Sequence, residues 1–272
     1  MQTRSSIGWW VGGAVVIAIA IGVGVYLGAK RQPPAAAPAA TTPATPTAPA
    51  APTVQHPIGE AATGTLQSPP EPLPALADSD SAVADALSTL AGGRDLADIL
   101  IARAIIPRIV ATIDALPSRK LGTNILPVRG APGKFQVERH EGVDVIAASN
   151  SDRYAEYLRI VEAVDPAAAV AWYVRFYPLF QQAYRDLGYP NGYFNDRLIV
   201  VIDHLLAAPD PSGPVAIRKT ETTFAYADPA LESLSAGQKM LVRIGPDDEA
   251  TVKTKLRAIR AALVGSKVSA PG

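Results

Sequence analysis

The sequence contains no cysteine among its 272 residues. This absence excludes disulfide bonds, thiolate metal ligands and cysteine nucleophiles. Histidine is also scarce, and the three histidines (His56, His140 and His204) lie far apart in the chain. The sequence has no G-x-x-x-x-G-K-[ST] phosphate loop, no H-E-x-x-H motif and no G-x-S-x-G motif. We therefore predict no cofactor and no metal site, and no motif assigns a catalytic residue.

The chain has no excess of charge of either sign, because 25 Lys and Arg residues balance 25 Asp and Glu residues. A general nucleic-acid-binding protein needs a basic excess, since its lysines and arginines displace the counterions of the phosphates. We therefore expect no nucleic-acid partner.

One long run, IGWWVGGAVVIAIAIGVGVYLGA at residues 7–29, lacks charged residues entirely and is long enough to cross a bilayer as a helix. Trp9 and Trp10 lie at one end of the run and Tyr26 near the other, as is typical of interfacial aromatic belts. A cleaved signal peptide is the competing interpretation, but its apolar core is shorter and a cleavage site follows it closely. The run predicts a retained transmembrane helix after a short tail at residues 1–6.

The orientation of this helix is not decided by charge, since Arg4 precedes it and Lys30 and Arg31 follow it. The short tail leaves the rest of the chain to be exported. We expect a single-pass protein of the inner (cytoplasmic) membrane, with a cytoplasmic N-terminus and a periplasmic C-terminal domain. Two G-x-x-x-G patterns, Gly8–Gly12 and Gly24–Gly28, would allow weak self-association, although glycine is common in membrane helices anyway.

Residues 30–75 are rich in Pro, Ala and Thr, and 12 of the 25 prolines fall between residues 32 and 74. Such a segment buries too little apolar surface to offset its chain entropy. We predict a disordered linker with polyproline character. It serves either as a passive spacer or as a PxxP ligand.

Residues 76–264 have the composition of a globular chain and enough length for one sizeable core. We predict a mainly α fold, with one multi-helix globular domain, a small β-ribbon at residues 124–146 and a flexible tail at 265–272. Two further short strands are expected at residues 215–218 and 222–226. The predicted helices cover residues 80–90, 95–116 (with a break near Pro107), 151–164, 166–187, 195–207, 235–244 and 246–263, with a short helix opened by Pro229.

Two of these helices have distinctive faces. The helix that starts at Pro166 carries Trp172, Phe176 and Phe180 at four-residue steps, which predicts core packing and not a ligand site. In the last helix, one face is apolar and the opposite face is basic. The apolar stripe is Val252, Leu256, Ile259 and Leu263, and the basic stripe, expected to face solvent, is Lys253, Arg257 and Arg260.

Four segments of the domain form a distinctive set. They are LPALADSDSAVADAL, ATIDALPSRKL, YPLFQQAYRDLGYPNGYFNDRLIVVIDHLLAAP and FAYADPALESLSAGQKMLVRIGP. This set resembles the bacterial family catalogued as domain of unknown function 3014. The resemblance implies a membrane-anchored protein with a proline-rich linker, and it brings no catalytic residue, substrate or partner.

The densest polar cluster begins at Tyr189 and continues along one predicted helix to His204. Asp196 and His204 are eight residues apart, so we expect both to project from roughly the same side of that helix. The candidate binding residues are Tyr189, Tyr193, Asn195, Asp196, Arg197, His204, Gln238 and Lys239.

Two interpretations of this cluster remain open. In an enzyme, Asp196 would orient His204 or bind a cation, and Arg197 would clamp an anion. In a structural role, Asn195 caps the helix and Asp196 complements the helix dipole. Arg197 then pairs with a carboxylate of another helix, and His204 is a satisfied core histidine.

We therefore carry two hypotheses about function. In the first, the protein is not an enzyme, and its exported helical domain binds a protein or cell-wall partner at the end of a flexible tether. In the second, it is an envelope hydrolase that uses a polar pocket around Asp196, Arg197 and His204. A cytoplasmic scaffold would require the opposite topology.

Overall fold

The computed structural model describes residues 54–58, 72–221 and 223–265. The predicted anchor at residues 7–29, most of the predicted linker and the tail from residue 266 lie outside these ranges. Within the described part of the chain, no helix is both long enough and apolar enough to span a membrane.

Helices dominate these residues, which confirms the predicted mainly α fold. The described ranges contain eight α-helices and two antiparallel hairpins. The helices are α1 (Asp80–Leu90), α2 (Ile105–Ala115), α3 (Ala155–Ala163), α4 (Pro166–Asp186), α5 (Phe194–Leu206), α6 (Pro229–Ser233), α7 (Ala236–Ile244) and α8 (Pro246–Gly265). A 3-10 helix at Ala148–Tyr154 precedes α3 and occupies the start of the helix predicted from residue 151.

Three helix starts follow local capping chemistry and are confirmed where the sequence predicted them. Asp165 precedes Pro166, and its carboxylate accepts a hydrogen bond from the Ala168 N–H (2.7 Å) at the start of α4. Asp228 caps α6 in the same way before Pro229. Ser235 caps α7 in a reciprocal capping box with Gln238, three residues later.

The long helix predicted from Asp95 is wrong, because only Ile105–Ala115 is helical. Ala104 has a left-handed backbone (φ 50°) and no capping side chain of its own. The cap comes from a distant residue: the Asp80 carboxylate accepts the N–H groups of Ala104 (2.7 Å) and Ile105 (2.8 Å). Pro107 then lies in the first turn of α2, where a missing N–H costs nothing, and it does not break the helix.

The two hairpins form a small β region beside the helices. β1 (Val137–His140) pairs with β2 (Val143–Ile146), and β3 (Ile217–Lys219) pairs with β4 (Phe224–Tyr226). A single bridge between Val145 and Ala216 joins the hairpins. The predicted ribbon is thus confirmed over its second half, and the two predicted later strands pair with each other.

The main core surrounds α4, which packs against α2 and α8. Trp172, Phe176 and Phe180 are all buried, which confirms their prediction as core residues. The Trp172 ring lies 5.2 Å from the Phe176 ring and 5.6 Å from the Phe180 ring, measured between centroids. Pro178 lies inside α4, and the helix continues past it to Asp186.

The last helix, α8, contradicts one prediction about its faces. Its apolar stripe is buried as expected, but Lys253 is buried too, with only 3% of its side chain exposed. Its Nζ lies 2.9 Å from Glu249 Oε1 and 2.6 Å from Asp210 Oδ1. The predicted basic solvent face is therefore wrong at Lys253, because the buried Glu249 and the exposed Asp210 compensate its charge.

Candidate functional site

The turn Tyr189-Pro190-Asn191-Gly192 delivers the chain to the start of α5. The Gly192 N–H donates to the Tyr189 carbonyl (3.0 Å) and closes the turn. Gln181 on α4 then fixes the helix start, since its Nε2 donates to the Gly192 carbonyl (2.7 Å) and its Oε1 accepts the Phe194 N–H (2.9 Å). No local sequence pattern marks Gln181, because its partners are brought to it only by the fold.

Gly192 is required for space and not for a positive φ. A Cβ at this position would lie 2.7 Å from Tyr184 Cε1 and 3.0 Å from Tyr189 Cβ. We therefore expect Gly192→Ala to lower the free energy of unfolding by about 1–3 kcal/mol, since the two residues must shift. Urea unfolding measures the loss. Gly213→Ala is the matched control, because a Cβ there meets nothing within 4 Å, and an equal loss in both variants would contradict the packing argument.

A short piece of the chain's own N-terminal part, bent at Gln55 and His56, lies across the start of α5. We call residues 54–58, Val-Gln-His-Pro-Ile, the docked segment. The N–H groups of Gln55 (3.0 Å) and His56 (2.6 Å) donate to the two oxygens of the Asp196 carboxylate. Asn195 Nδ2 donates to the His56 carbonyl (2.8 Å), and the Ile58 N–H donates to the Tyr193 hydroxyl (2.8 Å).

These four hydrogen bonds all reach the main chain of the docked segment. Ile58 adds an apolar contact, because it packs against the main core. The predicted helix cap at Asn195 is wrong: α5 begins at Phe194, and the Asn195 side chain is turned to the docked segment. The docked segment falls inside the predicted linker, so the sequence alone gave no reason to place it on the domain.

Buried polar atoms without a hydrogen-bond partner cluster near this contact. Among the described residues they include Asn195 Oδ1, His56 Nδ1 and the Tyr173 hydroxyl. Burial raises the pKa of Tyr173 well above its ordinary value, and the neighbouring Tyr177, Tyr193 and Asp196 raise it further. The site thus retains unused hydrogen-bonding capacity beside the docked segment.

The other candidate residues face different partners. Arg197 Nε lies 2.8 Å from Oδ1 of Asp114 on α2, which confirms the expected pairing with a carboxylate of another helix. The Tyr189 hydroxyl donates to the second oxygen of Asp114 (3.0 Å). Lys239 pairs with Glu232 at 2.7 Å. These three candidates therefore stabilise contacts between elements and do not converge on the docked segment.

His204 belongs to a third, separate group with Ser235 and Gln238. Its Nε2 lies 2.8 Å from Ser235 Oγ, and its carbonyl accepts a hydrogen bond from Gln238 Nε2 (3.0 Å). Ser235 Oγ also accepts the Gln238 N–H, as the cap of α7. Asp203, next to His204 in the chain, pairs with Arg260. The serine–histidine contact thus joins α5 to α7.

Burial and the Arg197 charge lower the pKa of His204 below its ordinary value of 6.5. Below pH 6.5 the unfolded chain binds a proton that the folded protein resists, so acid should destabilise the fold. We expect His204→Gln to lose less stability than the unaltered chain when the pH is lowered from 7 to 5, measured by urea unfolding. His140→Gln, at an exposed position of β1, should behave like the unaltered chain, and an identical pH response in both variants would contradict the prediction.

A separate groove of about 720 Å³ lies between the β region and the junction of α7 with α8. Its polar lining includes Asn150, Arg243, Asp247 and Asp248. Burial raises the pKa of Asp248, and the charges of Asp247 and other nearby carboxylates add to this shift. No group of three potential metal ligands occurs anywhere in the described ranges.

Residues 105–260, which run from α2 into α8, match the family described as protein of unknown function, DUF3014. The chain belongs to the DUF3014 family. The match contains Tyr193, Asn195 and Asp196 and excludes both α1 and the docked segment. The DUF3014 assignment is the one comparison that gives a result, since no curated protein and no solved structure matches the chain.

Proposed function

We propose that this DUF3014 protein is a tethered binding module whose helical domain binds a protein partner through the start of α5. The observation that carries the proposal is a set of four hydrogen bonds to the main chain of a peptide: Asp196 and Tyr193 accept three of its N–H groups, and Asn195 donates to one carbonyl. Groups that bind main-chain N–H and C=O give affinity for a peptide whatever its side chains. A protein partner fits this chemistry better than a cell-wall glycan.

The proposal keeps the topology expected from the sequence. The apolar run at residues 7–29 would anchor a bacterial protein in the inner membrane, and the domain would work in the periplasm at the end of the linker. Weak self-association through the glycines of the anchor remains part of this proposal.

We favour binding over hydrolysis because the candidate catalytic residues have different partners. Asp196 holds the docked segment, Arg197 pairs with Asp114, and His204 contacts Ser235. Asp196 and His204 are separated by about 12 Å along α5, at 1.5 Å rise per residue. Groups that exchange a proton must come within hydrogen-bond reach of each other or of one substrate.

Crosslinking in cells tests the proposal. The tagged full-length protein, an Asp196→Ala variant and an Asp203→Ala variant are crosslinked, and the attached proteins are identified. Asp203 is the matched control, because it lies on the same helix and pairs with Arg260 away from the docked segment. We expect one protein to attach to the unaltered chain and to Asp203→Ala and to be lost from a correctly folded Asp196→Ala variant.

Circular dichroism of the purified variants establishes that they fold. Recovery of the same partner from Asp196→Ala in equal amount would place the interface elsewhere. Absence of any enriched protein would count against partner binding and in favour of a small substrate.

A further inference from the structure

We propose that the docked segment is an internal ligand, and that the partner of this site is a peptide segment of a separate protein with a similar main-chain pattern. That pattern is two successive free N–H groups, then a proline, then an apolar residue. The inference rests on the function proposed above and names the chemistry of the partner.

The pattern follows from which N–H groups the site uses. The N–H groups of residues 55, 56 and 58 each have an acceptor on the domain. Position 57 is proline, which has no N–H, so the site loses nothing there. Proline also confines the residue before it to extended conformations, which lowers the entropy lost on binding. The site therefore suits a proline at this position.

The position after the proline needs an apolar side chain. Ile58 is partly buried and packs against the main core. A charged residue there would bring an unpaired charge against apolar side chains. The pattern thus begins with the N–H groups of residues 55 and 56, which Asp196 accepts, and ends with the apolar contact of Ile58.

The docked segment is an imperfect ligand, which is why a partner can displace it. His56 brings a buried Nδ1 without a hydrogen-bond partner, and Asn195 keeps a buried Oδ1 in the same condition. Each unpaired buried atom weakens the complex, because its hydration is lost without replacement. A peptide with an apolar residue in place of His56 avoids one of these losses.

Covalent connection compensates for this imperfect fit. Residues 59–71 join the docked segment to the domain, so its binding is intramolecular and has a high effective concentration. A free peptide must compete with it. The unaltered chain should therefore bind a free copy of the segment weakly, and a chain without the segment should bind it well.

Fluorescence anisotropy tests this with a labelled synthetic peptide of residues 52–60, PTVQHPIGE. The proteins are the full-length chain and an open variant in which Gly and Ser replace residues 54–58. We expect 1:1 binding to the open variant, about tenfold or more tighter than to the unaltered chain. Adding Asp196→Ala to the open variant should weaken binding by about tenfold or more, whereas Asp203→Ala should leave it unchanged.

Altered peptides test the chemistry without changing the protein. N-methylation of the His56 amide removes the 2.6 Å hydrogen bond to Asp196 and should weaken binding by about tenfold. Ile58→Asp in the peptide should abolish measurable binding. His56→Leu should tighten binding by about threefold to tenfold, because no unpaired Nδ1 is buried.

Several results would overturn the inference. One is failure of an open variant with an unaltered circular dichroism spectrum to bind the peptide, and another is indifference to N-methylation. A dimer of the unaltered chain in sedimentation that dissociates in the open variant would also overturn it, since the occupant would then be a second copy of this chain.

The two experiments separate this inference from the proposed function. A partner crosslinked in cells and lost with Asp196→Ala, together with no peptide binding, would retain the function and reject the peptide pattern. Peptide binding as expected, without a crosslinked partner, would reject the function and leave the docked segment as the ligand of this site.

Discussion

Replacement of Lys253 with methionine should lower the free energy of unfolding by about 3–5 kcal/mol, because it leaves the buried Glu249 carboxyl without its charge partner. Glu249 and Lys253 expose only 1% and 3% of their side chains. The Lys253 ammonium also donates to the Ala208 carbonyl (2.7 Å), which loses its donor in the variant. Burial opposes the charged ammonium, but hydrogen bonds to Asp210 and Glu249 outweigh it and raise the pKa of Lys253. Urea unfolding at pH 7 measures the loss.

Two companion variants test the cause. Arg257→Met changes an exposed residue of the same helix to the same side chain, and its effect should stay within about 0.5 kcal/mol. The double variant Lys253→Met/Glu249→Leu removes both buried charges and should lose less stability than Lys253→Met alone. A double variant less stable than the single one would show that the missing charge partner is not the cause.

Phe180→Ala should lower the free energy of unfolding by about 3–5 kcal/mol, because it opens a cavity at the centre of the aromatic core. The Phe180 side chain is fully buried. Its ring lies 5.6 Å from that of Trp172, 5.3 Å from that of Tyr173 and 5.7 Å from that of Phe194, measured between centroids. The substitution removes packing that joins α4 to the start of α5, where the docked segment lies.

Chemical denaturation measures this loss, and Val200→Ala serves as the control. Val200 lies on α5 with 55% of its surface exposed, so its truncation should change stability by no more than about 0.5 kcal/mol. Phe180→Leu keeps most of the apolar volume and should cost less than Phe180→Ala. Similar losses for Phe180→Ala and Val200→Ala would mean that this cluster does not support the core.

Helices with their own caps were predictable from the sequence. Asp165 before Pro166 and the Ser235–Gln238 capping box each lie within four residues of the helix that they start. The start of α2 was not predictable in this way, since Asp80 supplies its cap from the preceding helix. A periodic apolar pattern continued upstream of Ile105 without a visible stop, and the predicted helix was therefore too long.

The candidate site was predictable in its residue types but not in its partners. Local reasoning identified Asn195 and Asp196 as polar groups at a helix start, where capping explains Asn195 and the helix dipole explains Asp196. Their actual contacts are with residues about 140 positions earlier in the chain. Lys253 was misplaced for the same reason, because its carboxylate at Asp210 lies on a loop outside α8.

Occupancy of the site also sets how far the domain extends from the membrane. With the docked segment in place, only residues 30–53 of the predicted linker separate the predicted anchor from the first residue held by the domain. With the segment displaced, residues 30–71 separate the predicted anchor from the domain. Even for flexible coils, which are more compact than polyproline segments, these lengths correspond to average spans of about 27 Å and about 36 Å. A partner that takes the place of the docked segment would therefore release chain length and let the domain move at least about 9 Å further from the bilayer.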